Sequence, residues 1–221
     1  MPISKNREYR NMKIEARDIE GTEDEKRIVT GYAATFDEPY KLFDGEGWEY
    51  WEVVDLGAFD ETDMSDVIMQ YDHRGRVFAR TRNNTLEVNP DDEGLFIEAD
   101  LGGTEIGREL YEEIRGRYTD RMSFGFTVNG ELEEKEKDEN GVVKITRHIT
   151  KVGKLYDVSA VSIPANDGTS IGADAVTRSL ADLSDGVIAR IQAERLEEEK
   201  LELERRRAET KAKALSIGGI K

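Results

Sequence analysis

A histidine, a serine and a carboxylate on three short islands are the side chains here whose types could do chemistry. They are His73 in Tyr71-Asp72-His73, Ser123 in Arg121-Met122-Ser123-Phe124-Gly125-Phe126, and Asp157 in Leu155-Tyr156-Asp157-Val158-Ser159, which runs on to Pro164-Ala165-Asn166. These are the parts of a serine hydrolase. An imidazole takes the hydroxyl proton as serine attacks a carbonyl, then returns it to the leaving group, while a carboxylate fixes the ring tautomer. The chain has only two histidines, His73 and His148, so a mechanism that needs imidazole has few solutions. Ser123 is not in a G-x-S-x-G context, which argues against a nucleophile-elbow hydrolase. Cysteine is absent, removing thiolate nucleophiles, disulfides and Cys-ligated zinc. A metal-dependent hydrolase built from Asp72, His73, His148 and Asp157 is a weaker alternative, since no H-E-x-x-H or similar one-turn ligand pair is present. Neither a cofactor nor a metal is expected.

These residues must be positioned mostly by strands. β-rich or alternating runs occur at Lys13–Ile19, Arg27–Phe36, Trp51–Val54, Val67–Tyr71, Val77–Thr81, Thr85–Asn89 and Leu95–Leu101. Turn signals such as Asp44-Gly45, Asn83-Asn84 and Glu93-Gly94 separate them. The pattern predicts an α+β, mainly β fold: a closed or partly open β-barrel with a few covering helices. One helix is clear, with Thr104 as its N-cap and Ile106, Leu110 and Ile114 on one face; it ends near Gly116–Thr119 and delivers the chain to Ser123. Residues 1–10 read as a disordered tail, 11–170 as the barrel domain, and 171–221 as a linker followed by a charged helical extension. Within that extension, Ala173–Ser184 reads as linker and Leu180–Leu215 as helix without a sustained heptad seam.

Asn140-Gly141 is a hairpin signal. If those two residues form the loop, Ser123 faces Val158 and Asp157 points to the opposite side of the sheet. One extra residue on the first strand, for example a bulge at Gly130, restores parity and sets Asp157 opposite Ser123, and that bulge is expected. The register assumes one uninterrupted ladder, which Gly153 is placed to break. His148 falls ten positions from Ser123, roughly 33 Å along a strand.

The net charge is −16. From Arg178 onward ten Lys/Arg stand against nine Asp/Glu, which leaves about −17 on residues 1–177. So acidic a body repels phosphates, and no nucleic acid partner is expected. The acidity serves solubility first, with basic peptides as the alternative partner. No apolar run is long enough to cross a bilayer and no signal-peptide apolar region is present, so no membrane association and a cytoplasmic site of synthesis are expected.

At these islands the chain resembles the prohead proteases of tailed bacteriophages, capsid-maturation serine proteases akin in fold to the herpesvirus assemblins. The resemblance covers roughly residues 11–170. It rests on Gly31-Tyr32-Ala33 with Phe36, the strand ending at His73, Val77-Phe78-Ala79-Arg80-Thr81, the Gly102–Tyr118 helix, Met122-Ser123-Phe124-Gly125-Phe126, and the closing run from Leu155 through Asp157-Val158-Ser159 to Pro164-Ala165-Asn166. Ala79 and Arg74 depart from it, standing where the family commonly has glycine and an acidic residue. The resemblance implies a serine endopeptidase with Ser123 as nucleophile, His73 as base and Asp157 as third member. His148 is the alternative third member, because the herpesvirus enzymes use a second histidine. Ser159 and Pro164-Ala165-Asn166 are expected to shape the strand end and turn. The implied substrates are the scaffolding segment of the major capsid protein, a separate scaffold, and the protease itself, inside the assembling prohead in the host cytoplasm. A homo-oligomer is expected, with residues 172–221 as a docking or self-removed tail. The competing reading is a non-catalytic capsid assembly or scaffold-binding protein with a protease-like barrel.

Overall fold

Strand-forming runs and one amphipathic helix become ten strands and two helices in the computed structural model, which describes residues 7–17, 26–161 and 174–218. In chain order these are β1 (Glu8–Arg17), β2 (Ile28–Thr35), β3 (Tyr40–Gly45), β4 (Trp48–Val54), β5 (Ile68–Tyr71), β6 (Arg74–Arg80), β7 (Leu86–Pro90), β8 (Gly94–Asp100), α1 (Glu105–Arg115), β9 (Arg121–Lys137), β10 (Val143–Val161) and α2 (Asp174–Gly218). The sheet runs β3-β4-β10-β9-β1-β2-β8-β7, with β5 and β6 branching from β10. The ends of this path, β3 and β7, do not pair with each other among the described residues, so closure into a barrel is not seen. The fold is mainly β.

β10 organises the sheet. One edge pairs antiparallel with β9 along its length; the other pairs parallel with β4 in its first half and with β5 in its second. Period-2 alternation explains why β9 and β10 sit centrally. Met122, Phe124 and Phe126 of β9 and Val158 and Ala160 of β10 enter the core, where Phe124 and Phe126 stack at 4.7 Å. Side chains on the alternate positions, Ser123, Asp157 and Ser159, are therefore aimed at the opposite face. α1 covers the core with Leu110, Tyr111 and Ile114. Thr104 caps it by accepting a hydrogen bond from the Gly107 N–H at 3.1 Å, worth about 1 kcal/mol. Tyr118, beyond the helix, is exposed.

A buried charge cluster ties the first strand to the sheet. Glu52 is fully buried and accepts hydrogen bonds from Arg10 Nη2 at 2.6 Å, Arg147 Nη1 at 3.0 Å and the Tyr40 hydroxyl at 2.5 Å. Glu8 takes two more from Arg147, at 2.6 and 2.9 Å, and one from Arg10 at 2.8 Å.

Several expectations are corrected. β1 begins at Glu8 and Arg10 is buried, so the disordered tail does not extend through residue 10. The hairpin loop is not the two residues Asn140-Gly141. Pairing ends at Lys137–Val143, and Asp138 organises the intervening turn by accepting from the Asn140 and Val142 N–H groups at 2.9 and 2.7 Å. A carboxylate at the turn's first position satisfies those donors and lengthens the loop. Residues 174–184 are helical and belong to α2, not to a linker. Contacts divide the chain into Met1–Leu180 and Ala181–Lys221. In the second unit α2 carries surface pairs between Arg206 and Glu202 and between Arg205 and Glu209, and exposes Leu196, Leu201 and Leu203. Pro164-Ala165-Asn166 lies outside the described residues. Among the described residues no helix is long and apolar enough to cross a membrane.

Candidate active site

The β9–β10 register decides whether a hydroxyl and a carboxylate share a face. The ladder is interrupted repeatedly: β10 carries extra residues at Thr150, Gly153 and Tyr156, and β9 one at Asn129. A Cβ at Gly153 would stand 2.5 Å from the Asn129 side-chain amide, so a larger residue there requires that amide to move. The net result sets Ser123 directly opposite Ser159 and Asp157 opposite Gly125. The expected bulge at Gly130 with Asp157 facing Ser123 is therefore corrected by two residues: Ser123 faces Ser159 instead. The extra residues fall mainly on the second strand, since its bulges outnumber those of the first. Parity survives: Asp157 and Ser159 are two apart on one strand, and Ser123 lies across from Ser159 at the 4.5 to 5.5 Å Cα spacing usual for such pairs. Ser123 and Asp157 thus occupy one face, on the diagonal.

His73 arrives from the other side of β10. β5 runs parallel to it, with Ile68 beside Asp157 and Tyr71 beside Ala160. Tyr71 then pairs with Arg74, so Asp72-His73 form a two-residue turn, and both have positive φ (49° and 55°) as a type I′ hairpin requires. Neither is glycine, so the chain accepts unfavourable backbone at this point, a feature that clusters at functional sites. The Asp72 N–H donates to the Ala160 carbonyl at 2.9 Å and anchors the turn. From there His73 Nδ1 hydrogen-bonds Asp157 Oδ1. Ser159 donates its hydroxyl to the same oxygen at 2.9 Å. An ionised carboxylate can only accept, so the imidazole proton sits on Nδ1. The His73 side chain is 1 % exposed, Asp157 2 % and Ser123 0 %; among the described residues the Ser123 hydroxyl makes no hydrogen bond. Beside the turn a groove of about 500 Å³ is lined by Tyr71, Asp72, Arg74, Phe78, Leu110 and Glu113, among others.

His148 is elsewhere. It pairs with Leu132, eleven residues before Ser159 on β10, and its Nδ1 is 2.9 Å from Asp55 Oδ1. Among the described residues no group of three or more acidic or histidine side chains is arranged to hold a metal. That removes the geometric basis for a centre made from Asp72, His73, His148 and Asp157.

A serine, an imidazole and a carboxylate stand around one strand, and the chain also matches the sequence profile of the caudovirus prohead serine proteases. That profile matches residues 11–185. The chain belongs to the caudovirus prohead serine protease family. The match takes in β1 from residue 11, every other strand, α1 and the start of α2, so all three candidate residues lie inside it. No curated protein and no solved structure was found to match the chain.

Within this prohead protease fold, the residue whose place beside the candidate site sequence reasoning missed is Ser159. It was expected to shape the strand end, yet it is fully buried, hydrogen-bonds Asp157 and stands opposite Ser123. The signal was available, because Asp-x-Ser on a strand puts both side chains on one face.

Proposed function

We propose that this prohead protease is a serine endopeptidase that removes the scaffolding segment of the major capsid protein, and cleaves itself, inside the maturing shell. The observation carrying the reading is the His73–Asp157 hydrogen bond formed above the face that holds Ser123. β5 and β9 flank β10 at about 5 Å each, so His73 and Ser123 stand on either side of the strand that carries Asp157. With Nδ1 committed to Asp157, Nε2 is the nitrogen that takes the Ser123 proton as Oγ attacks the peptide carbonyl. The same nitrogen returns that proton to the leaving amine, and water repeats the cycle on the acyl-enzyme. Asp157 stabilises the imidazolium between these transfers, and Ser159 keeps its carboxylate oriented. The adjoining groove gives room for substrate side chains beside His73. Residues 172–221 serve as the docking or removable tail, and the working form is a homo-oligomer in the host cytoplasm.

Burial of Ser123 favours a second reading, a non-catalytic assembly protein. Under the protease reading the same burial describes a resting state that opens to admit peptide. Co-expression with the capsid protein separates the two. Ser123→Ala is expected to abolish capsid protein cleavage, a loss of roughly 10⁴-fold or more, with shell assembly intact. Cleavage persisting in the variant would end the enzyme reading.

A further inference from the structure

We propose that Arg7 is a positioning residue that holds Asp157 from the side away from His73 and sets the pH range over which His73 acts as base; this rests on the protease reading above. The two oxygens of Asp157 have different neighbours. Oδ1 takes His73 and Ser159, whereas Oδ2 faces the Arg7 guanidinium, with Nη1 at 3.7 Å. Arg7 immediately precedes β1 and is kept there by stacking, its Cζ lying 3.6 Å from the centroid of the Tyr156 ring. Tyr156 is the extra residue of the irregularity just before Asp157. The distortion that brings Asp157 to Ser123's face thus also builds the platform for the cation.

Among the described residues, other charged groups also stand near the pair. Lys154 shares the Tyr156 ring but is tied to Asp63 at 2.7 Å, and Glu8 is bound to Arg10 and Arg147. Asp72 and Arg74 flank His73 in its turn, with Glu109 and Glu113 across the groove. On β9 the residues from Met122 to Phe126 are uncharged. Arg7 is therefore placed to offset the buried carboxylate directly. A guanidinium on Oδ2 weakens the carboxylate's pull on the imidazole proton, so His73 is a neutral base to lower pH with Arg7 than without it.

The test uses the full chain with Arg7→Gln, which removes the charge, and Arg7→Lys, which keeps it. His73 is titrated by NMR, where His148 is the only other imidazole to assign, alongside the pH dependence of Ser123 inactivation by a phosphonylating reagent. Arg7→Gln is expected to move both curves to higher pH by roughly 0.5 to 1 unit, with Arg7→Lys staying near the parent protein. A His73 titration unchanged in Arg7→Gln overturns the inference. So does an Arg7→Lys curve displaced as far as that of Arg7→Gln, because packing rather than charge would then be responsible. Failure of the parent protein to react at Ser123 at any pH would instead sink the protease reading, and the His73 titration would still report on Arg7.

Discussion

Asp157→Asn is expected to lower kcat/KM by roughly 10⁴-fold while the sheet stays folded. Asparagine fills the same volume and retains a carbonyl oxygen that can accept from Ser159 or from His73. What it loses is the charge, and with it the obligation of the ring to carry its proton on Nδ1. An amide N–H₂ turned toward His73 favours the other tautomer, in which Nε2 bears the proton and cannot accept one from Ser123. The imidazolium formed during attack also loses its counter-charge in a buried site. Cleavage kinetics together with thermal unfolding check this. A loss of tenfold or less with unchanged stability would mean that Asp157 orients the strand end and takes no part in proton transfer.

Glu52→Ala carries the largest expected effect on stability. Glu52 is the buried hub to which Arg10, Arg147 and Tyr40 donate. Removing it leaves two buried guanidinium groups short of a carboxylate, which costs about 3–5 kcal/mol, a large share of a domain's whole stability. Replacing the entire cluster with apolar residues should cost far less, because the penalty comes from the orphaned charges. The same cluster gives an acid limit. Burial by itself raises the Glu8 carboxyl, but the hydrogen bonds and charges of Arg147 and Arg10 outweigh it and bring it from 4.5 to about 2. A lowered carboxyl contributes its stability above the unfolded value and loses it as pH falls, so on the order of 3 kcal/mol disappears between about pH 4.5 and 2. Urea unfolding of both proteins across that range measures both effects, and equal midpoints for Glu52→Ala and the parent protein would refute the first.

The sequence made the site residues visible by their types and left their distances hidden. His73 and Ser123 stood out because histidines are few and because Met122-Ser123-Phe124-Gly125-Phe126 alternates as a strand must. Helix α1 was legible down to its N-cap, since local signals determine a helix end. The β9–β10 register was not, because each extra residue flips or restores side-chain parity, and β10 places three such residues where only Gly153 announces one. The Asp138-centred loop was missed for a related reason: Asn140-Gly141 is a strong signal, but an aspartate two residues earlier captured the turn. Nor did composition reveal the charge cluster, since Glu8, Arg10, Glu52 and Arg147 meet only after four strands pair. The two extremes of the chain were read too simply as tail and linker. Arg10 is buried, and the helix begins at Asp174.

The decisive measurement is covalent trapping with a serine-directed phosphonylating reagent, followed by peptide mass mapping of the parent protein and of His73→Ala. A single adduct on Ser123, lost in His73→Ala, is the expected result. An adduct on another serine, or one on Ser123 that forms equally fast without the imidazole, would contradict a proton relay from Ser123 to His73.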